Sequence, residues 1–485
     1  MTYVTKWMGT VGRLPTFLLA TVLAATACQA PPGSSGADAA LAVDALLEPF
    51  DISDGPGGVV GVYLDGEIVF ARGFGLANLE YEIPNTASTV FRVGSVAKQF
   101  TAMAIAILAQ RGEVDLDRDI RDYFSEIPEY PQGVVTLRHL VHHTSGFRDY
   151  NELATLGGYR SDQLATTDAT FELLARQRGL NFSPGDEFLY CNSGYFLMGV
   201  LVERITGKTL AEFARDEMFE PLGMDHSQFK DDHGAVVANR AYGYQADGDG
   251  WRLYLSQRDF VGAGGVFTTV EDMLAWMVNL DDNRLGAPGL MDDMHRVGVL
   301  NDGTPLDYAF GLRVGEDRGL ALVQHSGSFA AFRAHSLRYP EQGLAVFTAV
   351  NGGAANPTQL AQAIADIYLQ RLVPGLGPVP AGVRTSSAGE RPSDAASTPE
   401  VINLAAFVGT YYGPELDATY EILSDGTALS LSLSGGSPNP LALVDEDVFG
   451  GDSMTLRFQR SNSGQVTGFV LDGGRVKGLV FDRTD

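Results

Sequence analysis

The chain has 485 residues, of which 45% are hydrophobic and 19% charged; this fits a globular protein of two or three domains with a sizeable core. Sixty acidic residues against 34 basic ones give a net charge of −26, which argues against a nucleic-acid partner and against electrostatic docking on anionic membranes.

Lys6 and Arg13 precede an apolar run from Phe17 to Ala27 that ends in Ala25-Thr26-Ala27-Cys28. The run is too short to span a membrane, so residues 1–28 read as a secretion signal. Small residues before a cysteine resemble a bacterial lipoprotein signal, with Cys28 lipidated. Ala25 stands where leucine is commoner, and an ordinary cleaved signal peptide is the alternative. Either way the expectation is export to the cell envelope or periplasm, with membrane anchoring through Cys28 in the first case. Lipidation of Cys28 would leave Cys191 without a disulfide partner.

Residues 29–40 are rich in Pro, Gly, Ser and Ala and read as a tether. A helical stretch is expected from about Leu41, then a hairpin around Asp65-Gly66. Helices and loops follow to about Asn279, and β-rich runs return between Tyr308 and Val350. Strands early and late imply one sheet assembled from both ends of a domain spanning residues 41–372. Residues 373–400 turn to Pro, Gly, Ser and Ala without apolar period, a linker. Beyond it, residues 401–485 alternate around turns such as Ser424-Asp425-Gly426-Thr427, which predicts a small antiparallel β domain, a barrel or curled sheet.

The chemistry centres on Ser95-Val96-Ala97-Lys98. Phe100, Met103, Ala104, Ile107 and Leu108 recur behind it at helical spacing, which predicts an amphipathic helix. A three-residue step stacks serine and lysine on one face, with Ser95 near the positive end of the helix dipole. A buried lysine can lose its proton and serve as base for a serine nucleophile. Alone the pattern is common, and the bland reading is an N-cap serine with a solvated lysine. A second copy, Ser227-Gln228-Phe229-Lys230, has no apolar stripe behind it and reads as loop.

His139, His142 and His143 have spacings that could present metal ligands, but no further Cys or acidic group completes a set, and the structural-loop reading is preferred. Gly262 to Gly265 reads as close backbone packing beside a pocket, ahead of a helix started by a Thr268–Glu271 capping box. In Tyr190-Cys191-Asn192 a phenol and a carboxamide point one way and Cys191 the other, as a small buried residue. Near a lysine cation Tyr190 would ionise more easily and relay a proton, while Asn192 orients Lys98 and meets the substrate. His325-Ser326-Gly327-Ser328 lies on a late strand, where Gly327 permits close approach and the Ser328 amide could share an oxyanion hole with that of Ser95.

Together, Ser95-x-x-Lys98, Tyr190-x-Asn192 and His325-x-Gly327 resemble the serine β-lactamase and penicillin-binding DD-peptidase superfamily, nearest to its class C β-lactamase and D-stereospecific peptidase branch. The likeness covers about residues 41–372; the C-terminal part resembles the lipocalin-like β domain that trails some of these hydrolases. The resemblance implies an α/β (α+β) domain with a central antiparallel sheet, helices on both faces and a helical lobe. It implies acylation of Ser95, proton transfer by Lys98 and Tyr190, an oxyanion hole from the Ser95 and Ser328 amides, and substrate contacts from Asn192, His325, Ser326 and Gly327. No metal or cofactor is implied. The expected substrates are short D-amino-acid peptides or related small molecules; a β-lactamase, a promiscuous esterase and a non-enzymatic penicillin-binding envelope protein are the alternatives. His325 stands where the lactamases usually carry lysine. A histidine with an ordinary pKa would give turnover an ionisation at about pH 6 to 8, removable by His325→Lys.

Overall fold

The computed structural model describes residues 34–160, 163–377, 403–433, 436–451 and 453–485. The expected secretion signal, Cys28 and most of the expected linker lie outside them. The elements that position the site are, in chain order, α1 (Ser34–Leu47), β1 (Gly58–Leu64), β2 (Glu67–Phe74), α2 (Lys98–Gln110), α3 (Tyr150–Leu156), α4 (Asn192–Thr206), α5 (Val270–Asp282), β3 (Arg313–Asp317), β4 (Leu320–Phe329), β5 (Phe332–Tyr339), β6 (Leu344–Val350) and α6 (Pro357–Leu372).

β1 to β6 form one sheet in the order β3-β4-β5-β6-β1-β2, antiparallel throughout. The N-terminal hairpin thus closes on the last strand of the domain, as its split sequence predicts. β1 is buried nearly end to end, because its alternate side chains enter two different cores. Val60 and Val62 pack with Ala361, Ile364 and Ala365 of α6, whereas Val59 and Tyr63 join the core built on α2 and α5.

Three local expectations need correction. The tether over 29–40 gives way to helix at Ser34: Ala and Leu favour helix, and Ala39, Val43 and Leu47 bury one face among the α6 residues. α2 is buried on all sides from Lys98 to Leu108 rather than amphipathic, since it runs through the centre of the domain. The cap of α5 is Thr269, whose hydroxyl accepts from the Asp272 amide, with Thr268 one residue earlier in a short strand.

The C-terminal domain is a closed barrel of eight antiparallel strands from Gly409 to Arg483. Closure removes the exposed strand edges that a curled sheet would leave. Aromatic rings fill its interior, with Phe469 and Phe481 stacked at 4.8 Å and Phe407 against Phe458 at the same separation. The barrel docks on the helical lobe through two reciprocal arginines. Arg148 leaves the lobe to meet Glu415 at 2.6 Å and the carbonyls of Lys477 and Gly478. Arg475 leaves the turn between the last two barrel strands to meet Asp149 and Glu152.

Candidate active site

Ser95 sits in a 3-10 turn, Gly94–Ala97, that runs directly into α2. Gly94 has φ +54°, and a side chain there would press on the Ser328 amide. Opposite, a Cβ on Gly327 would lie 2.0 Å from the Val93 carbonyl oxygen. Two glycines therefore let β4 lie directly against the Ser95 turn. Ser95 and Ser328 both line a cavity of about 610 Å³, together with Tyr190, Asn192, His325 and Ser326. This is the side-by-side placement that two oxyanion-hole amides require.

Lys98 is fully buried. Its Nζ lies 2.8 Å from Asn192 Oδ1, 2.8 Å from the Ala263 carbonyl oxygen and 3.3 Å from Ser95 Oγ. Burial pushes the ammonium down to about 7; the buried Asp149 carboxylate opposes this, and the Arg475 guanidinium assists it. A neutral amine has two N–H donors and one lone pair. The two carbonyl oxygens take the donors, which leaves the lone pair for the Ser95 hydroxyl proton. The glycine run at 262–265 supplies the Ala263 carbonyl, so its close packing serves Lys98 directly.

Tyr190 lies over this lysine, with Nζ 4.8 Å from the ring centroid. Its hydroxyl is buried without a hydrogen-bond partner. Burial drives the phenol above its usual range. The expected easier ionisation of Tyr190 is therefore reversed: a lysine that is itself easily deprotonated offers little cation to stabilise a phenolate. Cys191 turns away as expected, donating through Sγ to the Phe147 carbonyl, and burial pushes its thiol up to about 12.

His325 departs most from expectation. Its Nδ1–H donates to the Ser326 carbonyl at 2.6 Å, which leaves Nε2 to accept from the Tyr308 hydroxyl at 3.0 Å. Burial, with the nearby Lys98 charge, pushes the imidazole down to about 3. It is neutral at any working pH, so the group that titrates near neutrality is Lys98 and not His325. The other histidines face separate partners. His139 Nδ1 accepts from the Thr136 amide, His142 Nδ1 meets the Tyr308 carbonyl, and His143 Nδ1 accepts from the Cys191 amide, fixing the Tyr190 loop. Ser227 bonds Thr268 and Asp272 while Lys230 turns to the Asp232 and His233 carbonyls, so the second Ser-x-x-Lys copy forms no pair.

Asp149, which the sequence reading passed over, ties these parts together. It caps α3, and its wholly buried carboxylate accepts from the Asn192 amide at 2.7 Å and from Asn192 Nδ2 at 2.9 Å. Asn192 is thus held with its Oδ1 toward Lys98. Arg475 closes the far side at 3.0 Å from Asp149 and also donates to the Tyr190 carbonyl. An aspartate ahead of a helix was legible as a cap. Its partner on another domain was not.

The sheet, the lobe and the three segments that meet at Ser95 define a β-lactamase-like fold, here carrying a C-terminal barrel. The beta-lactamase family profile matches residues 43–369, and the chain belongs to that family. Among curated relatives, a D-aminopeptidase of Gluconobacter oxydans (strain 621H) is 30% identical over 326 residues, 67% of this chain and 60% of that protein. The chain thus spans less than two thirds of that relative's length. The octameric penicillin-binding protein homologue from Pyrococcus abyssi superposes with a TM-score of 0.59 at 24% identity, over 89% of this chain and 95% of its own. A penicillin-binding protein from Bacillus halodurans gives 0.58 at 26% identity, over 67% of this chain and 98% of its own.

Proposed function

We propose that this protein is an exported serine hydrolase that cleaves amide or ester bonds of short D-amino-acid peptides or related small substrates through an acyl-enzyme on Ser95. The observation that carries the reading is the Lys98 amine: buried, lowered to about 7, and in contact with Ser95 Oγ. The relatives named D-aminopeptidase support the choice of substrate class.

The steps follow from the contacts. Lys98 Nζ takes the Ser95 hydroxyl proton as Oγ bonds to the substrate carbonyl carbon. The Ser95 and Ser328 amides donate to the oxygen that becomes negative. When the bond to the leaving nitrogen or oxygen breaks, that atom receives the proton from Lys98, with the Tyr190 hydroxyl as relay. Water then attacks the acyl carbon, giving its proton to Lys98, and Ser95 is released with a proton returned. His325, neutral and held by Tyr308, shapes the pocket wall and donates no charge.

Export and attachment of lipid to Cys28 complete the proposal; mass spectrometry of the mature N-terminus tests both, since a lipidated Cys28 gives a diacylglyceryl mass that Cys28→Ser lacks. The catalytic reading is tested with matched D- and L-aminoacyl amides, short esters and a penicillin. Turnover of D-aminoacyl amides or esters that disappears in Ser95→Ala supports it. Stoichiometric labelling by penicillin with no turnover of any amide or ester would instead mean a penicillin-binding protein without hydrolase activity.

A further inference from the structure

The cavity lining carries four arginines, Arg92, Arg258, Arg313 and Arg475, and no aspartate or glutamate. The chain as a whole has a net charge of −26. Two of the four are answered by acids: Arg475 by Asp149 and Glu152, and Arg313 by Asp307 at 2.5 Å. Arg92 and Arg258 have no carboxylate partner among the described residues, and Arg92 Nε is buried without any hydrogen bond.

Both guanidinium groups are oriented by rings. Arg92 Cζ lies 3.9 Å and Arg258 Cζ 4.9 Å from the centroid of the same ring, Phe329. Phe267 also flanks Arg92, and Tyr150 and Phe260 flank Arg258. Stacking against ring faces fixes the guanidinium planes and leaves their N–H edges for a planar anion. Burial and the neighbouring Arg258 push Arg92 down to about 9, so it remains a cation at neutral pH. Two adjacent cations without an anion repel each other, and a bound carboxylate relieves that repulsion while accepting charge-assisted hydrogen bonds.

The location assigns the end of the substrate. Phe329 follows Ser328 on β4, while His325 lies toward the other end of that strand, where Tyr190 and Tyr308 cluster around it. A leaving group has to face the proton carriers Lys98 and Tyr190. The acyl portion then extends past the Ser328 amide to Phe329 and the two arginines. Resting on the hydrolase reading above, we infer that Arg92 and Arg258 form an anion subsite for the acyl portion of the substrate, so that the enzyme selects acyl groups bearing a carboxylate, such as D-aspartyl, D-glutamyl or the monoacyl of a dicarboxylic acid. A D-aminoacyl group whose side chain lacks a carboxylate leaves the two cations unanswered and is disfavoured.

The test compares D-glutamyl and D-glutaminyl p-nitroanilides, which differ only by carboxylate against amide. Wild type is expected to favour the acid in kcat/KM by roughly 10- to 100-fold, the worth of hydrogen bonds to a charged group. That ratio collapses in Arg258→Gln, recovers in part in Arg258→Lys, and falls as salt is raised. A binding arm is independent of turnover: glutaramate, which has one carboxylate, should bind Ser95→Ala more tightly than neutral glutaramide, and lose that advantage in Ser95→Ala with Arg258→Gln. Ser95-dependent turnover without preference for the acid, or a preference indifferent to Arg258→Gln, overturns the subsite and leaves the hydrolase reading standing. No turnover of any substrate, with carboxylate binding that depends on Arg258, overturns the hydrolase reading and leaves the subsite.

Discussion

Arg92 lines the cavity and Lys98 lies buried behind Ser95 in its wall, and burial lowers the pKa of both. Burial takes Lys98 down to about 7, where it can shed its charge, and the neutral amine still has two carbonyl oxygens for its N–H groups and a hydroxyl for its lone pair. Arg92 falls only to about 9 and keeps its charge, with ring faces where partners would be. Desolvation acts on both in the same direction; the starting pKa of the side chain decides the outcome. The lysine end of the pocket becomes a base, while the arginine end stays a cation that a substrate must answer.

The largest way to break the comparison is at its nucleophile. Ser95→Ala should lower kcat by roughly 10⁴ to 10⁶, while binding at the arginine end survives in calorimetry. Equal loss of both would mean the two ends are not separable. Next comes Gly327→Ala. Its Cβ cannot lie 2.0 Å from the Val93 carbonyl, so β4 has to move off the Ser95 turn and the two amides part. A loss on the order of 10² to 10³ in kcat is expected, the size of a missing oxyanion donor. A folded variant with full activity would place the oxyanion elsewhere.

Smaller effects sharpen how Lys98 is tuned. Asp149 raises its pKa and Arg475 lowers it. Activity needs the neutral amine, so kcat/KM should rise with pH through about 7. Arg475→Gln should move this limb to higher pH, and Asp149→Asn to lower pH. Each also costs stability, about 1 to 3 kcal/mol, because it breaks a pair whose carboxylate is wholly buried, the arginine being partly exposed. Equal shifts in one direction would show general damage rather than charge. Smallest is Cys191→Ser, whose hydroxyl keeps the bond to the Phe147 carbonyl; activity should stay within about threefold, and stability within about 1 kcal/mol.

Local sequence carried much of this. The Ser95–Lys98 step and the Tyr190-x-Asn192 alternation depend on neighbours in the chain, and the structure brings all four side chains together. The split sheet was legible because β-rich runs stand at both ends of the domain and the first pair flanks an Asp-Gly turn. What sequence misjudged was environment. His325 was expected to titrate near neutrality, but it is buried, and Tyr308 and the Ser326 carbonyl occupy its nitrogens. Tyr190 was expected to ionise beside a cation, but burial raises the phenol, and that cation is lost before the pH at which a phenol ionises. Arg475 and Asp149 meet across two domains, and Arg92 and Arg258 come from distant parts of the chain to the same ring, Phe329, so no spacing rule could pair them.

The central claim, that a neutral Lys98 activates Ser95, is tested most directly by intact-mass kinetics of covalent labelling with a fluorophosphonate across pH. A single adduct on Ser95 is predicted, with a labelling rate that climbs through about pH 7 and keeps that midpoint in His325→Gln. An adduct on another residue, a rate that does not change with pH, or a midpoint that vanishes with His325 would contradict it.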